Sequence, residues 1–344
     1  MVISGNKILI DSAERTNTNN LAPYHIYNGS LALASTVSTA GFSTTLYTGN
    51  GSTQSITTGV DMSTQWGNDA KETYGGLVWA KSRSAVNNNS LHDSVRGATA
   101  VVRSDLTNAQ ATLANAITSF GSTGFSLGTD SETNANGVTY ASWNFQTTHR
   151  RTGTTNHGQA FTEHYNPFTG FTIIQYTGSG IAGHEIPHSL GRKDAIGFIK
   201  NLTTAGQNWP CTWSNVYLNL TDAGGSGYSQ NTSYYTTETT LVNNNTYAGS
   251  NASGSTYIYY GWANSYFDEA NTLIGNYEVG VYQGTGASGN KVTTRGKPAW
   301  VMVKRLDSTG SWCIMDNVRY HGQLQADTTA SEYTDNYVNI IADG

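Results

Sequence analysis

A skeleton of three charged residues occurs twice in this chain. Asp93 follows Lys81 by 12 residues and Arg96 follows it by 15, and Lys304, Asp316 and Arg319 repeat both offsets. Ahead of each lysine runs an apolar stretch without helical period, Leu77 to Ala80 in one copy and Trp300 to Val303 in the other. Such runs read as strands buried on both faces. A third copy, Ala195 to Ile199, ends in Lys200 and carries Thr212 and Asn215 where the aspartate and arginine would stand. A chain organised this way must fold the same unit more than once.

Other markers keep step with the skeleton. Tyr47, Tyr176 and Tyr282 each open a Tyr-x-Gly-x-Gly turn. Asn134 to Gly137 leads to Tyr140 and Trp143; Asn251 to Gly254 leads to Tyr257 and, two residues late, Trp262. Units of about 100 to 120 residues exceed the length of solenoid repeats, so each copy is expected to be a domain with its own core. The predicted boundaries are an attachment segment over 1–36, unit one over 37–148, a linker over 149–166, unit two over 167–267 and an incomplete unit three over 268–344. The last holds no counterpart of the Asn-x-x-Gly turn and closing strand. Completion of unit three by a strand from residues 1–36 or from another chain is expected.

Only 12% of residues are charged, while 37% are apolar and 11% aromatic. With abundant Gly, Asn, Thr, Ser and Tyr, this predicts an all-β chain of tandem antiparallel β-sandwich domains of jelly-roll or lectin-like kind. One short helix is expected over Leu106 to Ile117, capped by Ser104. A net charge of −5 with no basic block argues against nucleic acid as a partner. No apolar run approaches the ~18 residues of a membrane span. The first apolar residues are interrupted by Gly5, Asn6 and Lys7, too short a run for a secretory signal, which predicts synthesis in a cytoplasm. Cys211 and Cys313 fall at near-equivalent places in different units and are expected to be free thiols.

Candidate chemistry is sparse. His184-Glu-Ile-Pro-His188 matches the HExxH letters of zinc peptidases, but Pro187 and the flanking glycines break the helix that such a site needs. His149, His157 and His164 lie in the linker without metal-ligand spacing. No cofactor is implied. Asp93 with Arg96 and Asp316 with Arg319 read as structural ion pairs bracing a corner after a strand. Tyr228, Tyr234, Tyr235 and Tyr247 stand in a Gly-, Ser- and Asn-rich insertion. They suit a recognition loop, because tyrosine buries area at small entropic cost, and equally suit core positions of edge strands.

The run VWAKSRS, then HDSVRG, then GFSLGTDSETNANGVTYASW, and the later FTIIQYTGSGIAGHEIPHSLG, resemble tandem modules of tailed-bacteriophage virion proteins, marine and cyanophage types in particular. The resemblance covers roughly residues 37 to 344 and carries no catalytic residues. It implies lectin-like β-sandwiches in a tail-fibre or appendage protein, assembled with other virion proteins, as a homotrimer by expectation, and able to meet host cell-surface glycan. The expected location is therefore the virion. A capsid-decorating or tail-scaffold protein is the alternative, and a secreted polysaccharide-active enzyme the weaker one.

Overall fold

The computed structural model describes residues 41–63, 75–192, 195–224, 231–267, 273–319, 321–334 and 340, with the backbone of four short strands before residue 34. Those four are β1 (Val2–Ser4), β2 (Lys7–Leu9), β3 (Tyr24–Tyr27) and β4 (Ser30–Leu33). They form an antiparallel sheet of their own in the order β1-β2-β4-β3.

From Gly41 onward the regular structure among the described residues is almost wholly antiparallel sheet. Unit one contributes β5 (Phe42–Thr48), β6 (Gln54–Thr57), β7 (Gly75–Ser82), β8 (Asn89–Asp93), β9 (Gly97–Arg103), β10 (Ala111–Thr112), β11 (Ile117–Gly121), β12 (Gly124–Leu127) and β13 (Thr139–Thr147). Its large sheet runs β10-β9-β8-β7-β13-β5, and a smaller one runs β11-β12-β6. Between them Ile56, Val60, Met62, Val78, Ile117, Phe125 and Leu127 form a core. This is the expected sandwich. The apolar run ahead of Lys81 lies in β7, where every residue is buried. The one helix among the described residues is α1 (Ser131–Asn134), whose cap Asp130 accepts from the Glu132 amide.

The helix expected over Leu106 to Ile117 does not form. That stretch gives its backbone groups to other elements instead: Leu106 O accepts from Trp209 Nε1, Gln110 N donates to Leu202 O and Leu113 N to Thr99 O. Ser104, read as its cap, donates its hydroxyl to Ala326 O.

Unit two holds β14 (His149–Thr154), β15 (Ala160–Asn166), β16 (Phe171–Thr177), β17 (His184–Pro187), β18 (Ala195–Asn201), β19 (Tyr234–Thr236), β20 (Thr240–Asn243) and β21 (Thr256–Ala263). Its sheets run β14-β15-β16-β21-β18 and β17-β20-β19. The core between them includes Ile174, Tyr176, Ile186, Ile199, Leu241 and Tyr259. The expected linker is therefore a hairpin, β14 and β15, that edges this large sheet. It escapes a period-two reading because, Phe161 apart, its buried positions are polar: Glu163 takes bonds from Arg151 Nε, Thr172 Oγ1, Ser189 N and Ser189 Oγ. A short hairpin, β22 (Tyr266–Phe267) and β23 (Leu273–Ile274), follows.

Unit three is one sheet, β24 (Trp300–Val303), β25 (Cys313–Asp316), β26 (Gly322–Gln325) and β27 (Tyr333–Thr334), in that order. Its buried Trp312, Ile314, Leu324 and Ala326 do not build a separate core. They join Trp79, Trp143 and Phe145 of unit one and Phe171, Phe198, Tyr260 and Trp262 of unit two in a single cluster. The expectation of one independent core per copy is thus corrected. Units one and two each keep an outer core between their paired sheets, and all three turn the other face of a sheet onto one shared interior.

Candidate functional site

Strand pairing fixes which residues of the units correspond. Trp79 faces Leu91, Phe198 faces Cys211 and Met302 faces Ile314. Ser90 faces Arg103, Pro210 faces Tyr217 and Cys313 faces Gln325. The closing strands β13 and β21 correspond with Tyr140 at Tyr257, so Tyr260, not Trp262, is the counterpart of Trp143.

On this register the units interlock in a ring. Trp209 of unit two sends its indole N–H to Arg103 O and Leu106 O of unit one, both at 3.1 Å. Asn89 of unit one, at the corresponding place, sends its amide to Gln325 O and Thr328 O of unit three, both at 3.0 Å. Trp312 of unit three closes the circle onto Tyr217 O of unit two at 3.0 Å. Each donor residue is held by a carboxylate or amide oxygen in the turn just after the facing residue: Asp105 accepts from Asn89 N, Asn219 from Trp209 N and Asp327 from Trp312 N. Burial raises the Asp105 carboxyl and pushes that of Asp327 up to about 6.

The two Asp–Arg pairs follow the same cyclic order. Asp93 Oδ1 accepts from the amides of Val95 and Arg96, while its Oδ2 meets Arg96 Nε at 2.5 Å and the Tyr260 hydroxyl of unit two at 2.6 Å. Asp316 Oδ1 accepts from Val318 N and Arg319 N, while its Oδ2 meets Arg319 Nε at 2.6 Å and the Trp143 indole of unit one at 2.9 Å. The arginines complete the corners, Arg96 on Leu91 O and Arg319 on Ile314 O. All four charged side chains are essentially sealed from solvent. A buried ion pair is tolerable only when its remaining lone pairs and protons are satisfied, and here a donor from the adjacent unit satisfies each carboxylate. These residues act as couplings between units.

The lysines each tie a local loop, and those of units two and three also reach a carbonyl of the neighbouring unit. Lys81 donates to Asn87 O, Lys200 to Gln207 O and Leu106 O, and Lys304 to Gly310 O and Thr221 O. Each ties the loop six or seven residues further on. Burial lowers Lys81 to about 8 and Lys200 to about 7, and lowers Lys304 as well.

The histidine motif is spent on structure. His184 lies on β17 and shares its ring nitrogens with Asn251 Oδ1 and Thr155 Oγ1; those of His188 meet Thr237 O and the Leu190 amide. Four residues along a strand span about 13 Å, too far for one ion. Among the described residues no three His, Cys, Asp or Glu side chains are grouped to hold a metal. Ser94 and His164 form a hydroxyl–imidazole pair at 2.7 Å that sequence reasoning missed. The Ser94 oxygen also accepts from Gly76 N, and the adjacent Asp93 has both oxygens engaged elsewhere, so no carboxylate of that corner orients the imidazole.

Of the tyrosine insertion, Tyr234 is buried on β19 and Tyr247 packs against the outer core of unit two. Tyr235 is half-buried, and Tyr228 lies outside the described residues. Tyr234 and Tyr247 are therefore packing residues. Neither Cys211 nor Cys313 is in a disulfide, and Cys211 is buried with its thiol pushed up to about 12. Among the described residues no helix is long and apolar enough to cross a membrane.

Residues 38–344 match the model of a domain of unknown function, DUF7483, and the chain belongs to that family. No curated protein and no solved structure matches it.

Proposed function

We propose that the chain is a bacteriophage virion structural protein, a tail-fibre or receptor-binding appendage that works beside other virion proteins and meets host surface glycan. The observation that carries this reading is the ring of buried inter-unit bonds. The two repeated charged pairs and the three repeated donors are consumed in fastening three units to one interior, which suits a body that must hold its shape while its outer turns make contact. The resemblance of the modules to phage virion proteins points the same way. Because Tyr234 and Tyr247 face inward, glycan contact would fall to exposed turns rather than to the tyrosine insertion.

A structural reading, as capsid decoration or tail scaffold, is favoured by one feature of unit three. Val281, Tyr282 and Val292 are each exposed there, apolar side chains that a neighbouring protein could cover. Immunogold labelling of intact particles separates the two. Gold confined to tail tips supports the appendage, and gold spread over the head lattice overturns it. Release of reducing sugar from host polysaccharide by the purified protein would overturn both in favour of an enzyme. Light scattering of the purified chain gives three chain masses if it forms the homotrimer proposed with this reading.

A further inference from the structure

In units one and two the closing strand is central to its sheet. β13 lies between β5 and β7, and β21 lies between β16 and β18, antiparallel to both neighbours in each case. Among the described residues, unit three has both corresponding stretches and no strand between them. β24 corresponds to β7 and is the edge of its sheet among the described residues. Residues 277–283 correspond to β5 and β16 through the Tyr47, Tyr176 and Tyr282 turns, yet take no strand. The consequences are visible in exposure. Every residue of β7 is buried whereas every residue of β24 is only half-buried, and Tyr282 is 48% exposed where Tyr176 is 1%.

The turn that receives the missing strand is nevertheless already shaped. Gly51, Gly180 and Gly286 hold φ of 67°, 70° and 70°. One residue earlier, the side chains of Asn50, Ser179 and Thr285 each accept from the amide two positions on. In unit one the Asn50 amide is then bound by Asn134 Oδ1, and in unit two the Ser179 amide by Asn251 Oδ1. Tyr47 and Tyr176 donate to the carbonyls just before those asparagines, Thr133 O and Ser250 O. Among the described residues nothing takes these positions in unit three.

We propose that unit three accepts a β-strand from a partner polypeptide, seated between β24 and residues 277–283 and antiparallel to β24. The occupant's chemistry is set by what fills the other two places: Ser or Thr, then Asn-Ala-x-Gly-x-Thr-Tyr, then an aromatic residue three positions after the tyrosine. The asparagine caps the turn at Thr285, the extended backbone satisfies the open edge, and alternate side chains enter the shared interior. The site stands on the internal repeat alone and does not depend on the virion reading.

The test uses the full chain and a synthetic peptide copying Ser250 to Ala263 of this sequence, followed by fluorescence anisotropy and amide hydrogen exchange. Saturable one-to-one binding is expected, with new protection at residues 281–286 and 300–303, and with affinity reduced at least tenfold in the peptide carrying Asn251→Ala. Three results overturn the proposal. These are no binding at millimolar peptide, protection of those amides before peptide is added, and displacement of β21 seen as exchange gained at residues 195–201.

Discussion

Replacing Tyr260 by Phe removes one oxygen and tests whether the units are coupled through the Asp–Arg corners. The hydroxyl donates to Asp93 Oδ2 at 2.6 Å and accepts from Arg96 Nη2 at 2.9 Å, and the Tyr260 side chain is 1% exposed. A hydrogen bond to a charged group is worth about 1.5–3 kcal/mol net, and two that share one hydroxyl do not add fully. The ring itself stays, so no cavity larger than an oxygen opens. We expect Tyr260→Phe to cost about 2–3 kcal/mol in urea unfolding, with an unchanged m-value. Because units one and two share one interior with unit three, fluorescence and far-UV circular dichroism should still report one coincident transition over residues 41–344. A double-mutant cycle with Asp93→Asn should return a coupling of at least about 1 kcal/mol. A loss below about 0.5 kcal/mol, a coupling near zero, or a transition that splits with unit two melting separately would refute the reasoning.

Acid should unfold the protein early. Burial holds His92, His164 and His188 down to about 4, so between about 6.5 and 4 the unfolded chain takes up protons that the folded chain refuses, and stability falls as pH falls across that window. For the fully buried His92 the loss is about 3 kcal/mol, with the raised carboxyl of Asp327 opposing part of the total below about 6. Urea midpoints measured from pH 7.5 to 4 check this, and His92→Gln should flatten the profile. Gly197→Ala should cost about 1–3 kcal/mol by overpacking, because a Cβ there would meet the Tyr259 ring at 2.2–2.4 Å; thermal denaturation reads it directly. Native-state labelling with a thiol reagent should reach Cys313 and leave Cys211 unmodified until urea unfolds the chain, since the latter is sealed and its thiolate disfavoured.

The strands ahead of Lys81 and Lys200 were legible because an apolar run in a sheet covered on both faces has no polar alternation to blur it. The run ahead of Lys304 also forms its strand, but β24 is only half-buried, not covered on both faces as its apolar run suggests, because unit three has one sheet among the described residues. The Asp–Arg corners were legible too, since the same local backbone needs the same local ion pair twice. What holds the units together was not. Trp209 follows its lysine by nine residues whereas Asn89 and Trp312 follow theirs by eight. That single inserted residue hid the correspondence and set Thr212 in the aspartate's place, although the counterpart of Asp93 is Trp213. Matching Trp262 to Trp143 followed side-chain type where strand register puts Tyr260; an indole N–H and a phenol O–H do the same work there. The hairpin over 149–166 was hidden by buried polar side chains, which look like loop residues until their partners are known.

At the meeting point of the three units, the Phe145 ring lies 4.8 Å from Phe42, 5.3 Å from Phe171 and 6.4 Å from Tyr277, which are the corresponding residues of units one, two and three. A stacked array can gain or lose a copy at its end, but a closed circle of three admits neither insertion nor deletion of a member. In an assembly of identical subunits every substitution would appear three times at that point. Encoded in one polypeptide, each copy drifts alone, so unit two can lack the ion pair while its neighbours keep theirs and the circle stays closed. Duplication followed by unequal specialisation is the evolutionary path this geometry permits.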